Sequence, residues 1–305
     1  MTKEHTFPAS FKDATGKMPF GLTNDYMFHA VFQKNQHALK GLICSVLHKK
    51  PEEIKTVIIT NPIKIGEQID EKAFILDIEV LLNNNHLINL EMQMANQYNW
   101  QDRSLSYLCR SFDQLYQGEA YTSAKPVTHI GFLNFTPFSD SPEFYATYKL
   151  LNTKNHRVYS DKFVLAVVDL KCIELATEED KACQIDHWAR LFTAMTWEEL
   201  RMITENNTYL ESASQTMYEL SGDELVQRQC RARRDYYKQI NTYNKNMQEL
   251  ENINQEIKQE LEVCNKKLEE QDVTITQQNV TIAQQDKTIE ELQRRIAELE
   301  KANAK

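Results

Sequence analysis

The reading turns on residues 73–82, AFILDIEVLL, and 87–94, LINLEMQM. Both stretches are short, apolar-rich and free of Gly and Pro, which predicts strands. Between them, Asn83-Asn84-Asn85 tolerates left-handed backbone angles and predicts a hairpin turn. In the first strand Leu76, Ile78 and Val80 share one face, and Asp77 and Glu79 take the other. In the second, Ile88, Leu90 and Met92 share a face, with Asn89, Glu91 and Gln93 opposite. A turn centred on Asn84 pairs position 77 with position 91 and puts the two carboxylates about 5 Å apart at Cβ. Like charges so placed repel unless a proton or a cation neutralises them. Two hard oxygen ligands at that separation suit Mg²⁺ or Mn²⁺. Gln93 points to the same face. On pattern alone two readings stand: this cation site, or a solvated outer face carrying two acids.

The order Asp77, then Glu91-Met92-Gln93 on the next strand, resembles the PD-(D/E)XK nuclease core. Residues 22–138 resemble more narrowly the PD-(D/E)XK nuclease family transposases, or recombination-promoting nucleases. The resemblance rests on Thr23-Asn24-Asp25-Tyr26-Met27-Phe28, Leu76-Asp77-Ile78-Glu79-Val80 and Asn89-Leu90-Glu91-Met92-Gln93. It continues through Arg103-Ser104-Leu105-Ser106-Tyr107 and Lys125-Pro126-Val127. It implies an α/β restriction-endonuclease-like core, a mixed central sheet flanked by helices. It implies DNA as partner and hydrolysis of phosphodiester bonds assisted by Mg²⁺ or Mn²⁺. Asp77, Glu91 and the main-chain carbonyl of Met92 are then the expected ligands, and Gln93 the water-orienting residue where the parent core has Lys. Asp25 is either a helix cap or a helper near the metal. Arg103 is either a solvated arginine or a phosphate contact, and Gln97 is a weaker candidate of that kind. The family often has Lys at the position of His29, so a fixed charge is missing there.

The rest of the chain is consistent with a helix-rich protein. It has 305 residues, 41% apolar, with only 7 Gly and 7 Pro. Residues 1–20 read as a flexible lead and 21–225 as the nuclease-like domain. No run is long and apolar enough to span a membrane, and the first residues lack a secretory h-region, so a cytoplasmic location is expected. Cys44, Cys109, Cys172, Cys183, Cys230 and Cys264 are scattered with no zinc spacing, as in a reducing compartment. The net charge of −9 argues against a protein that coats nucleic acid, but not against an acidic site that turns attractive once it holds a cation.

The apolar spacing over residues 22–47 predicts a helix begun by Asn24 or Asp25, and residues 56–60 predict a strand. Residues 99–117 predict a helix with a stripe of Leu105, Leu108, Phe112, Leu115 and Tyr116. Residues 127–135 read as a central strand, with His129 a core or sheet-face histidine. Strands are expected over 144–151 and 162–170, and helices follow to 224.

From 226 to 305 Gly and Pro vanish. DVTITQQ, NVTIAQQ and DKTIEEL are consecutive heptads, with Ile275, Ile282, Ile289 and Ile296 seven apart and Leu292 and Leu299 in the d register. That period predicts a coiled coil and a homo-oligomer. Arg228, Arg231, Arg233, Arg234 and Lys238 at its root read either as a contact for a nucleic-acid backbone or, the favoured reading, as a solvated charged face. An alternative function follows from the same features: a catalytically silent nuclease-like module that oligomerises or recruits partners through its coil.

Overall fold

The computed structural model describes residues 10–63, 77–96, 98–115 and 117–303. Among them, six strands form one mixed sheet: β1 (Val57–Ile59), β2 (Ile78–Leu82), β3 (His86–Gln93), β4 (Val127–Leu133), β5 (Tyr145–Lys149) and β6 (Phe163–Asp169), in the order β1-β2-β3-β4-β6-β5. The helices are α1 (Asp25–Lys34), α2 (Gln36–Val46), α3 (Trp100–Phe112), α4 (Glu178–Ala182), α5 (Ile185–Thr193), α6 (Trp197–Ile203), α7 (Thr208–Ser221) and α8 (Glu224–Asn303). None of them is long and apolar enough to cross a membrane.

The hairpin forms as its sequence predicts. Asn83 and Asn84 take φ of 50° and 59°, and Leu82 pairs with His86 across the turn. Only small polar side chains enter that left-handed region cheaply. The antiparallel β2–β3 ladder pairs Ile78 with Leu90, the register that brings Asp77 level with Glu91. β3 then runs parallel to β4, and β4 parallel to β6. Every residue of β4 is buried, as suits a strand covered on both faces.

The two faces have different covers. Ile88, Leu90, Met92, Ile130 and Phe132 join the main core with α1, α2, α5 and α7. Phe28, Phe132 and Phe192 pack edge-on or tilted there, ring centres 5.1–5.7 Å apart. The opposite face of β4 meets α3. A Cβ on Gly131 would lie 2.2 Å from Trp100 Cη2, so the indole occupies the space a side chain would take.

Three expectations change. The stretch 22–47 is two helices, not one. Asn35 ends α1 and caps α2, accepting from Ala38 N while its Nδ2 bonds Ser212 and Thr216 on α7. The buried stripe of α3 is Trp100, Ser104 and Leu108, and Leu105 stays 48% exposed, because the contact with Gly131 sets which side of the helix faces the sheet. Of the expected lead, Phe11, Ala14 and Phe20 are buried in the core, and Met18 N bonds Met195 O. Leu76, Gln97 and Tyr116 lie outside the described residues.

The chain divides into two units, one ending at Asn241 and one starting at Thr242. In the first, α8 begins with Val226 and Cys230, one turn apart and fully buried. In the second, α8 continues as helix, with Ile275, Ile282, Ile289, Leu292, Ile296 and Leu299 each more than half exposed.

Candidate active site

The face of the sheet under α3 carries the polar residues. Asp77 precedes β2; its carbonyl accepts from Asn61 Nδ2 at 2.9 Å, and Asn61 Oδ1 accepts from Glu79 N at 2.8 Å. Asn61 thus pins the backbone that presents Asp77. Glu91 and Gln93 follow at two-residue spacing on β3, and His129 lies on β4, paired in register with Asn89. Asp77, Asn89, Glu91, Gln93 and His129 are all buried.

Four polar atoms here are buried without a hydrogen-bond partner: Asp77 Oδ1, Asn89 Oδ1, Glu91 Oε2 and His129 Nε2. Such atoms are rare in a folded core, and these four gather on one face, with Glu91 Oε2 and His129 Nε2 3.5 Å apart. Burial pushes the Asp77 carboxyl up, and Glu91 and Glu79 push it further, from the ordinary 3.8 to about 6; a hydrogen bond from Asn89 pulls the other way. Burial would also raise Glu91, but His129 and Arg103 outweigh it and hold that carboxyl below its ordinary value. The two neighbours are therefore driven apart.

Arg103, one turn into α3, reaches Glu91 Oε1 with Nε at 2.9 Å and Nη2 at 2.8 Å. Its guanidinium stacks over the Tyr107 ring. Gln93 donates from Nε2 to Ala95 O at 3.0 Å. Met92 faces the main core, so only its main-chain carbonyl is a candidate donor.

Asp25 stands apart. Asn24, not Asp25, caps α1 by accepting from Met27 N. Asp25 is saturated: Oδ1 accepts from Tyr26 N at 2.8 Å and Arg233 Nε at 2.9 Å, and Oδ2 from Tyr237 Oη at 2.7 Å, with Arg233 Nη2 also on Oδ2. No hydrogen bond or ion pair joins it to Asp77, Glu91 or Gln93 among the described residues. The reading of the basic cluster as a solvated face fails for Arg233, which is buried; Arg228, Arg231, Arg234 and Lys238 are exposed. Arg234, Tyr237 and Lys238 line a cleft of about 340 Å³ with Asn24, Met94 and Asn134, at the carboxyl ends of parallel β3 and β4. Clefts in open α/β sheets form at such ends.

Sequence reasoning missed Asn89, His129, Arg233 and Tyr237. The alternation placing Asn89 beside Glu91 was a signal for the first. The other three depend on contacts between distant segments. Among the described residues no group of three or more His, Cys, Asp or Glu is arranged to hold a metal ion. The oxygen set is two carboxylates and nearby main-chain carbonyls, the hard donors that Mg²⁺ accepts while keeping its waters.

No curated protein and no solved structure matches the chain. The family model for PD-(D/E)XK nuclease family transposases matches residues 22–246, well over half of the chain and including Asp25, Asp77, Glu91, Gln93 and Arg103. The chain belongs to the PD-(D/E)XK nuclease family transposases.

Proposed function

We propose that this protein is a metal-dependent DNA endonuclease of the transposase, or recombination-promoting, type. One observation carries the reading. Asp77, just before β2, and Glu91 on β3 are buried at one level; Asp77 Oδ1 has no hydrogen-bond partner, and Glu91 Oε2 meets only His129 Nε2, at 3.5 Å. Two buried like charges are costly without a counter-charge, and hard carboxylate oxygens suit a divalent cation.

In this reading Asp77, Glu91 and the Met92 carbonyl hold Mg²⁺ or Mn²⁺. When bound, the ion supplies an activated water and offsets charge developing on the phosphate. Gln93 has its amide nitrogen tied to Ala95, which leaves Oε1 to accept a hydrogen from the attacking water. It adds no positive charge. Arg103 spends two N–H groups on Glu91 and has others for a phosphate oxygen. Asp25 serves at one remove, anchoring Arg233 and Tyr237 of α8 beside the cleft. The exposed heptad stripe of α8 pairs with a second copy; a single helix cannot bury it.

The alternative is the catalytically silent module, with the coil recruiting partners. Glu91 favours it, being already paired with the Arg103 guanidinium without any cation.

The deciding experiment is cleavage of supercoiled plasmid with Mg²⁺ or Mn²⁺ by the wild type, Asp77→Ala and Glu91→Ala. Nicking or linearisation lost in both variants and stopped by chelator supports the nuclease. Activity that survives in both removes Asp77 and Glu91 from the mechanism. An inactive wild type under both metals favours the silent module. Analytical ultracentrifugation of the full chain tests the oligomer.

A further inference from the structure

We propose that Asn89 and His129 are positioning residues for Glu91: the Asn89 amide sets the His129 tautomer, and the ring then holds Glu91 without neutralising it. The inference deepens the nuclease reading and rests on it for its function, but not for its geometry.

Asn89 and His129 face each other across the parallel β3–β4 ladder. Asn89 Nδ2 lies 3.1 Å from His129 Nδ1. An amide nitrogen only donates, so Nδ1 accepts, and a neutral imidazole then carries its one proton on Nε2. Nε2 lies 3.5 Å from Glu91 Oε2, a contact longer than an ordinary hydrogen bond. With a neutral ring, the reversed amide would leave the Nε2 lone pair against a carboxylate oxygen, a repulsive arrangement. Through His129, Asn89 thus faces Glu91.

The ring has no freedom to turn. His129 is fully buried, with Tyr107 stacked at 5.9 Å and 6° on it and Trp100 at 5.7 Å. Gly131 makes room for that indole. A neutral N–H donor orients a carboxylate and leaves its charge for a cation, which a Lys or a second Arg there would not. Outer hydrogen bonds to metal-ligating carboxylates act in this way.

The test uses the full chain labelled with [¹⁵N]histidine. Long-range ¹H–¹⁵N spectra read the tautomer of His129, whose signals are identified by their loss in His129→Gln. The expected wild-type state is the Nε2–H tautomer, and Asn89→Leu should populate Nδ1–H. Mn²⁺ affinity, read by electron paramagnetic resonance, should fall about 10- to 100-fold in Asn89→Leu and His129→Phe. His129→Gln, which keeps an N–H near the Nε2 position, should stay within a few-fold of wild type. An Nδ1–H tautomer in the wild type overturns the proposal, as does unchanged Mn²⁺ affinity in His129→Phe. A wild type that binds no Mn²⁺ overturns the role assigned to the pair together with the nuclease reading, whereas a wild type that binds Mn²⁺ with the wrong tautomer overturns this proposal alone.

Discussion

Asp25 and Asp77 are equally hidden, 3% and 4% exposed, in the same folded unit, yet their surroundings are opposite. Asp25 is met by a guanidinium, a phenol and a backbone N–H, and both its oxygens are occupied. Asp77 is met by a second carboxylate, and its Oδ1 has no partner. The first is a finished structural contact, in which a buried ion pair is compensated by further hydrogen bonds. The second is a cost left standing, as a binding site requires when its ligand is to supply the missing charge. Burial and residue type do not separate these two aspartates; satisfaction does.

The largest expected effect comes from breaking the finished contact. Arg233→Ala strands the Asp25 carboxylate in the core and should cost about 3–5 kcal/mol in urea unfolding. Asp25→Asn combined with Arg233→Met should recover most of that loss, since removing both charges is far cheaper than removing one. A loss under 1 kcal/mol in Arg233→Ala would mean that water reaches Asp25 and that the contrast with Asp77 is false.

The unfinished contact should respond with the opposite sign. The folded-state value of Asp77 lies above its ordinary 3.8, at about 6, so the native state binds this proton more tightly than the unfolded chain. That preference favours folding at low pH and is lost as pH rises from 3.8 through about 6. In the metal-free protein at pH 7 the ionised carboxylate costs about 3 kcal/mol at most. Asp77→Asn should therefore be more stable than the wild type in chelator at pH 7, and the gap should close by pH 4. The same variant should lose metal-dependent cleavage. Stabilisation with loss of activity would mark Asp77 as a site residue; destabilisation would place it with Asp25.

What the sequence made legible follows from the range of the forces involved. The hairpin register is local: alternation sets the faces, the Asn83–Asn85 run sets the turn, and together they bring 77 level with 91. The heptads of α8 are periodic and legible for the same reason. The break at Asn35 was not, because the asparagine that caps α2 is held by Ser212 and Thr216, some 180 residues away. Arg233 looked like one member of a charged helix face, and only its meeting with Asp25, 208 residues earlier, separates it from Arg234. His129 was read as a sheet-face histidine, which it is. Its partner Asn89 lies on another strand, and the register of a parallel pair depends on the length and packing of the crossover, which no local pattern records.

The sheet face that carries the unfinished contact can be disturbed without touching a polar group. In Gly131→Ala the new methyl would meet Trp100 at a distance no side chain tolerates, so the indole must shift off His129. The overpacking should cost about 2 kcal/mol in thermal or urea unfolding. It should weaken Mn²⁺ binding too, since the ring facing Glu91 loses its cover. A stability loss with intact Mn²⁺ affinity would show the aromatic stack to be core alone.

The smallest effect belongs to Tyr237→Phe, which removes one donor from Asp25 and leaves Arg233 and the Tyr26 N–H in place. A hydrogen bond to a charged group contributes about 1.5 kcal/mol at the low end, and the remaining guanidinium keeps Oδ2 from being stranded. The phenylalanine ring keeps the packing, including the contact with Arg233. Tyr237 also lines the cleft at the ends of β3 and β4. If its hydroxyl serves only Asp25, unfolding should register the substitution and plasmid cleavage should not. A fall in cleavage larger than the change in stability would instead tie the root of α8 to the site, and the finished contact would then be part of the unfinished one.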